Sequence, residues 1–488
     1  MPFLTAFRPG LWGGPLLFLA AGWGGQLVGL QGDAAWVLGV GIWMLVWWIS
    51  EAVPIAVTSL LPIVLLPLTG VMPVAEVTAP YGSHFVFLFL GGFLLAISLE
   101  KWELHRRLAL AVLDKAGTSA RRLVGAVMLT TALLSMWISN TATALMMLPI
   151  ALSILSHWPG DQRGFAQAML LGTAYAANIG GMATLIGTPP NVAMAGILSE
   201  AHGVEIPFLD YMLVAVPFSG LLLFCTYGLL TRVYFKLPAG AVVHPGGTDW
   251  IRVARRELGP WSAAQKRVAW VFGLTAGAWI FRDGLVGLTG WDWSDTGIAV
   301  LSGVLLFLIP TGESEGLGEG GGRRTLLSWS DAEKLPWDIL LLFGGGLALA
   351  EAMGQVGWVE SLAHLISDGT SGPWWWVLLV LITLALFLTE GMSNLALTVV
   401  MVPVVAALAV EWGLHPALFA VPIALSSSCA FMLPMATPPN AIVFGSRQIA
   451  IREMMWVGLG LNLLCIVLVF VLSVWVLPGW CEQLGATP

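Results

Sequence analysis

Residues Leu123 to Leu155 carry no charged side chain, yet Ser139, Asn140 and Thr141 stand at their middle. Such a run is too long for one ordinary membrane-crossing helix and too short for two. Half of it is roughly 16 residues, and at ~1.5 Å per residue a helix of that length reaches only about 24 Å, against a hydrocarbon core of about 30 Å. The run is therefore expected to enter, turn at its Ser-Asn tip and leave on the side it entered. A second stretch, 374–410, has the same design, with Ser393 and Asn394 at its middle and a single acid, Glu390.

The two stretches belong to an internal duplication. Ser393 follows Ser139 by 254 residues (393 − 139), and the same offset superimposes FLGGFLLAISLE (89–100) on FGGGLALAEAMG (343–354) and Ser135 on Thr389. A further pair, IGTPPNVAMAG (186–196) and MATPPNAIVFG (435–445), separates Thr188 from Thr437 by 249 (437 − 188). A chain of 488 residues with 58% hydrophobic and 10% charged residues and a mean hydropathy of +0.86 cannot cover a soluble surface, so the fold class is an all-α polytopic membrane protein. Cys225, Cys429, Cys465 and Cys481 are far apart and form no CxxC pair, so neither a disulfide framework nor a metal cluster is suggested. No HExxH and no nucleophile–base arrangement stands at membrane depth, which argues against an enzyme. A formal charge of −7 gives no reason to expect a nucleic-acid partner. Arg8 precedes the first apolar segment without a small-residue cleavage site, so that segment reads as an inserted span.

Candidate spans are 11–31, 35–50, 53–72, 84–100, 165–199, 209–231, 267–282, 296–310, 336–353, 414–445 and 453–478. With a cytoplasmic N-terminus, these eleven spans and two re-entrant hairpins place every one of the 21 basic residues except Arg282 on the cytoplasmic side. Making 123–155 a full crossing would move most of them outside. The C-terminus is then exterior, the first hairpin opens from the cytoplasm and the second from the exterior, and the halves are inverted-topology repeats, an architecture of secondary transporters.

The expected organisation is residues 1–83 as scaffold helices of the first repeat and 84–232 as its transport unit, with hairpin 123–155 and a broken helix near 187–191. Residues 233–266 are a cytoplasmic connector, and 267–335 hold the second repeat's scaffold helices and a cytoplasmic loop. The second transport unit, 336–488, has hairpin 374–410, a break near 436–440 and a final helix. GEGGGRR (318–324) reads as a flexible linker, and KWELHRRLALAVLDKAG (101–117) as an amphipathic helix along the inner interface.

The chemistry concentrates at the tips and breaks. GTPPN and ATPPN each put two prolines inside a span that should otherwise be continuous, so each span breaks. Broken ends free carbonyls for a cation and turn helix N-termini toward an anion. The oxygens on offer are neutral hydroxyls, amides and carbonyls, with no Lys or Arg, which suits an alkali cation such as Na+ rather than a transition metal. A bound cation and a bound anion would each favour the other, the thermodynamic basis of symport. Glu390 is either a hydrogen-bonded structural acid or a proton-sensitive group. Its repeat partner is Met136, so it lies outside the duplicated set.

These residues resemble the divalent anion/sodium symporter family, INDY-like transporters of dicarboxylates, citrate and sulfate. The resemblance runs from WWISEAVPIAVTSLLPIVLLPL (47–68) through Ser139-Asn140-Thr141, IGTPPN and the second Ser-Asn motif to SCAFMLPMATPPNAIVFGS (428–446). It implies a homodimer in the lipid bilayer and an elevator motion of a transport domain against a scaffold, while short loops, compact length and the lack of a targeting segment favour a bacterial inner membrane. It also implies at least two Na+ sites: Ser135, Ser139, Asn140 and the backbone at Gly187 for the first, and Thr389, the backbone at Met392, Asn394 and the backbone at Ala436 for the second. The anion would meet Asn140, Thr141, Thr188, Asn394, Thr437 and Pro438. Leu395 stands where the family's second motif commonly has threonine. A C4 dicarboxylate such as succinate or malate is the favoured substrate, with sulfate, citrate or a sodium-independent exchange of di- and tricarboxylates as alternatives.

If Leu395 marks a missing donor, Leu395→Thr raises dicarboxylate affinity roughly ten- to a hundredfold, the worth of one hydrogen bond to a charged group. Succinate competition in proteoliposomes measures it, and an unchanged or weaker affinity removes that role.

Overall fold

The computed structural model describes residues 9–27, 30, 32–117, 119–156, 158, 163–238, 253, 255–312, 324–370 and 372–485. Residues 239–252 and 254 of the expected connector 233–266 and nearly all of GEGGGRR lie outside the described residues. Among those described, the fold is helical with no strand, and the one extended pairing is an isolated bridge between Pro310 and Thr325.

Both apolar stretches fold back at their polar tips. The first forms helices Ala120–Ser135 and Asn140–Ser156, which pack on each other across a turn at 136–139. The second forms Trp374–Leu388 and Asn394–Glu411 across a turn at 389–393. Both Thr-Pro-Pro-Asn spans are interrupted. Arg163–Gly181 stops, passes through a short 3-10 turn at Leu185–Gly187 and restarts as Pro189–His202; Ala417–Ser427 stops and restarts as Pro438–Phe444. In each restart the prolines occupy the first helical positions, where a missing N–H breaks no intrahelical bond.

The repeats interlock. Helix Pro189–His202 of the first packs against Asn394–Glu411 of the second, and Pro438–Phe444 of the second packs against Asn140–Ser156 and Arg163–Gly181 of the first. A parallel exchange occurs at the glycine pairs. A Cβ on Gly91, in helix His84–Lys101, would lie under 3.0 Å from the backbone of Ala299, and one on Gly345, in helix Trp337–Gln355, under 3.0 Å from the backbone of Ser59. Each repeat thus presents a side-chain-free surface to a helical segment of the other.

Several elements differ from the sequence reading. The stretch 53–72 is not one helix but two short ones, Ile55–Thr58 and Leu61–Leu68, because Pro62 begins a new helix. Helix Ala263–Ile280 bends by 84° into Arg282–Thr289. The amphipathic helix expected in 101–117 is present as Leu104–Ala116, but its counterpart 254 residues on (358 − 104), Trp358–Asp368, was not anticipated. Among the described residues six helices are long and apolar enough to cross a membrane, and a seventh counts if the bent pair is one span. The remaining apolar helices, among them Asn140–Ser156, Asp295–Leu308, Trp374–Leu388 and Ala417–Ser427, are shorter.

Some charges outside the apolar core are paired across the chain. Lys101 Nζ lies 2.6 Å from Asp331 Oδ2. Burial alone would raise the Asp331 pKa, but the bonds from Lys101 and from the Ser328 N–H and hydroxyl outweigh it and hold the carboxyl below its ordinary range. Arg282, the exception in the charge distribution, lies 3.5 Å from both Asp283 and Asp295.

The glycine contacts generate a stability prediction. Gly345→Ala forces its methyl against the Ser59 backbone and lowers stability by about 1–3 kcal/mol, whereas Gly273→Ala, on an open helix face with nothing within 4 Å of the new Cβ, does not lower it. Thermal unfolding of the detergent-solubilised variants measures both.

Candidate functional site

Two oxygen clusters occupy equivalent places in the repeats. In the first, the Ser135 hydroxyl, fully buried at the end of its hairpin helix, is 2.7 Å from Asn140 Oδ1 and 2.7 Å from the carbonyl of Ala177. In the second, the Thr389 hydroxyl, also fully buried, is 2.7 Å from Asn394 Oδ1 and 2.6 Å from the carbonyl of Ser427. Each hydroxyl has one proton for two oxygens, so three oxygens share one hydrogen. A surplus of neutral, hard acceptors at short range is the donor set an alkali cation takes. Among the described residues no group of three or more His, Cys, Asp or Glu is arranged to hold a metal ion.

Close backbone approach extends the first cluster. Gly181 faces Asn140 so tightly that a Cβ there would collide with Oδ1, and Gly187 is pressed against the Gly181 carbonyl in the same way. The structure therefore gathers Ser135, Asn140, Ala177, Gly181 and Gly187, of which the sequence had pointed to three. Met392 is half-buried in the second tip, and Ala436 is buried in the second break. Ser139 has a further task. Its Oγ accepts the Ala142 N–H at 3.3 Å and caps the returning helix, as Ser393 Oγ does for the Ala396 N–H at 3.5 Å.

The breaks are sutured by residues that the motifs contained but that were not singled out. Asn191 Nδ2 reaches back to the carbonyls of Gly181, Met182 and Thr184 at 3.2, 3.4 and 2.8 Å. Asn440, 249 residues later (440 − 191), does the same for Ala430 and Leu433 at 3.1 Å each. The repeated asparagine of Thr-Pro-Pro-Asn was the available signal.

The remaining polar groups of the tips and breaks are less symmetric. Thr188 and Thr437 both have extended backbones ahead of their helices, and neither hydroxyl caps its own helix. With proline at the next two positions, the first two residues of these helices have no N–H to offer, which leaves the threonine hydroxyls among the donors at the breaks. At the hairpin tips the first N–H groups of the returning helices have no intrahelical acceptor, and they join the half-buried Thr141. Leu395, in contrast, is 4% exposed and packs in the apolar core, so a threonine there would bring its hydroxyl into an enclosed position. The second break is the more open: Met435 is 80% exposed and Pro438 is exposed, while every residue of 181–188 is buried.

Glu390 is 5% exposed and accepts four bonds: Phe431 N–H at 2.8 Å, Met432 N–H at 2.9 Å, Leu433 N–H at 3.0 Å and Asn462 Nδ2 at 2.7 Å. All four partners are neutral donors, so the carboxylate acts as the acceptor that organises the second break. In the first repeat the corresponding residue, Met136, contributes its carbonyl to the Thr184 hydroxyl at 2.6 Å. Of the two readings left open for Glu390, its contacts match the structural acid.

Comparison with known proteins follows this geometry. The family model described as the sodium:sulfate symporter transmembrane region matches residues 26–481. The chain is 41% identical over 481 residues to the sodium-dependent dicarboxylate transporter SdcS of Staphylococcus saprophyticus, covering 95% of this chain and 90% of that protein. It is 38% identical over 490 residues to the Staphylococcus aureus protein of the same name, covering 98% and 92%. In fold it is similar to the Alcanivorax borkumensis YdaH transporter, with a TM-score of 0.58 at 18% identity over 84% of this chain and 88% of that one. The Neisseria gonorrhoeae MtrF structure gives 0.55 at 13% identity, covering 84% of each chain. Matched from end to end by the family model and by relatives above a third in identity, this chain belongs to the sodium:sulfate symporter family, the divalent anion/sodium symporters its paired motifs resemble.

Proposed function

We propose that the protein is a sodium-coupled importer of a C4 dicarboxylate, with one Na+ at each oxygen cluster and the anion between the two hairpin tips. The observation that carries this reading is the repetition of one geometry, a hydroxyl within 2.7 Å of an amide oxygen and a carbonyl, at Ser135 and at Thr389. The names of the staphylococcal relatives supply the substrate class.

Coupling follows from the charge inventory. The motifs hold no Lys or Arg, so a dianion meets only neutral donors: the hydroxyls of Thr141, Thr188 and Thr437 and the N–H groups of the tips. Positive charge comes from the co-transported cations. Asn140 and Asn394 stand at the boundary, each with its amide oxygen in a cation cluster and its body at the tip that faces the anion. Occupation of the clusters therefore raises anion affinity, and the anion raises cation affinity by the same factor. In this reading a homodimeric scaffold carries transport units that move by an elevator motion, with the N-terminus cytoplasmic, the C-terminus exterior and the protein in a bacterial plasma membrane.

Uptake of labelled succinate into proteoliposomes is the test. An inward Na+ gradient, but not a K+ gradient, drives accumulation, and unlabelled malate blocks it; uptake without Na+ would make the protein an exchanger, and competition from sulfate or citrate alone would change the substrate. Asn140→Ala and Asn394→Ala each reduce uptake by roughly a hundredfold or more while the protein remains folded, because a cation ligand and an anion contact are lost together. Near-normal uptake in either variant would remove the shared-ligand role.

A further inference from the structure

The Thr437 hydroxyl accepts a bond from a buried side chain, and among the described residues no such bond reaches its counterpart Thr188. Asn178, on the last turn of helix Arg163–Gly181, is 1% exposed, and its Nδ2 donates to Thr437 Oγ1 at 3.0 Å. The bond joins one repeat to the other. The cation clusters align Ala177 with Ser427, 250 residues apart (427 − 177), so the residue equivalent to Asn178 is Ser428. Its shorter hydroxyl bonds to the Ala424 carbonyl at 3.3 Å instead.

We infer that Asn178 is a positioning residue for the anion site: by occupying an acceptor position of the Thr437 hydroxyl, it leaves that hydroxyl's single proton to be donated to a substrate carboxylate. The inference rests on the dicarboxylate reading above and deepens it. A hydroxyl is both donor and acceptor, and an unconstrained one can turn its proton toward a nearby backbone carbonyl. The Thr437 side chain is 4% exposed and at the head of a helix whose first two residues have no N–H, so its hydroxyl is a side-chain donor the second break can offer an anion. An N–H directed at its oxygen fixes the direction of its proton and, through hydrogen-bond cooperativity, strengthens the donation. Asn178 also follows Ala177, whose carbonyl is in the first cation cluster. One turn of helix therefore supports a cation ligand of the first repeat and the anion donor of the second.

The test is a double-mutant cycle on succinate transport with Asn178→Ala, Thr437→Val and the pair. Asn178→Ala raises the succinate KM roughly three- to tenfold and leaves the maximal rate near that of the unsubstituted protein. Thr437→Val raises KM at least as much, and adding Asn178→Ala to Thr437→Val produces no further rise, because the asparagine acts only through the hydroxyl. Asn178→Ser gives an intermediate KM and serves in place of the alanine variant should that fail to fold. The Na+-induced rise in melting temperature without dicarboxylate stays unchanged in the Asn178 variants, which a general loosening of the helix around Ala177 would not allow. If Asn178→Ala leaves KM unchanged, adds fully to Thr437→Val or weakens the Na+ effect, the inference is overturned while the dicarboxylate site stands. If Thr437→Val itself leaves KM unchanged, the placement of Thr437 at the anion is wrong, and the inference fails with it.

Discussion

Irregular backbone at membrane depth has to find all its hydrogen-bond partners inside the protein, because hydrocarbon offers none. Among the described residues the two repeated motifs leave helix geometry at two tips and two breaks, and the arrangement of the site depends on how those segments are satisfied. The side chains of Asn191 and Asn440 hold carbonyls on the far side of each break. Tyr211 donates to the Met182 carbonyl at 3.1 Å, and Tyr175 donates to the Phe431 carbonyl at 3.0 Å. Met182 and Phe431 are 249 residues apart (431 − 182) and so are equivalent, yet the two tyrosines come from unrelated positions. The same need has been met by different residues in the two halves.

Glu390 shows the same divergence in a charged form. Its carboxyl collects three consecutive N–H groups of the second break, and its neighbour Thr389 contributes the hydroxyl of the second oxygen cluster. One dipeptide thus ties the second tip to the second break on both its faces. The first repeat uses a neutral bond, Thr184 to the Met136 carbonyl, for the corresponding link.

Much of this was legible in the sequence, because charge-free length and repeat offset are one-dimensional signals. The hairpins, the breaks and the pairing of Ser135 with Thr389 all follow from them. The misses have particular causes. Helix Trp358–Asp368 lacks the dense charge that marked its counterpart at 104–116, so its amphipathic character was hidden. Leu395 could be read as an altered site residue but not as a core residue, since burial depends on what the other repeat packs against it. Asn178 was illegible for the same reason: its partner is 259 residues away, and no offset within the duplication connects position 178 to 437.

The inequivalence of the halves has a direction. The oxygen clusters are nearly identical, with Ser135 exchanged for Thr389 and the Ala177 carbonyl for that of Ser427. A spherical ion asks only for oxygens at a suitable distance, so exchange of one hydroxyl for another leaves such a site intact. An anion with two carboxylates asks for donors aimed along particular lines, and there the halves differ: Thr141 against the buried Leu395, and an oriented Thr437 against Thr188. If the anion is held as proposed, one carboxylate rests on the first tip and the other on the second break, off the pseudo-twofold axis. Duplication would then have supplied two interchangeable cation sites, and divergence one anion site that neither half could form alone.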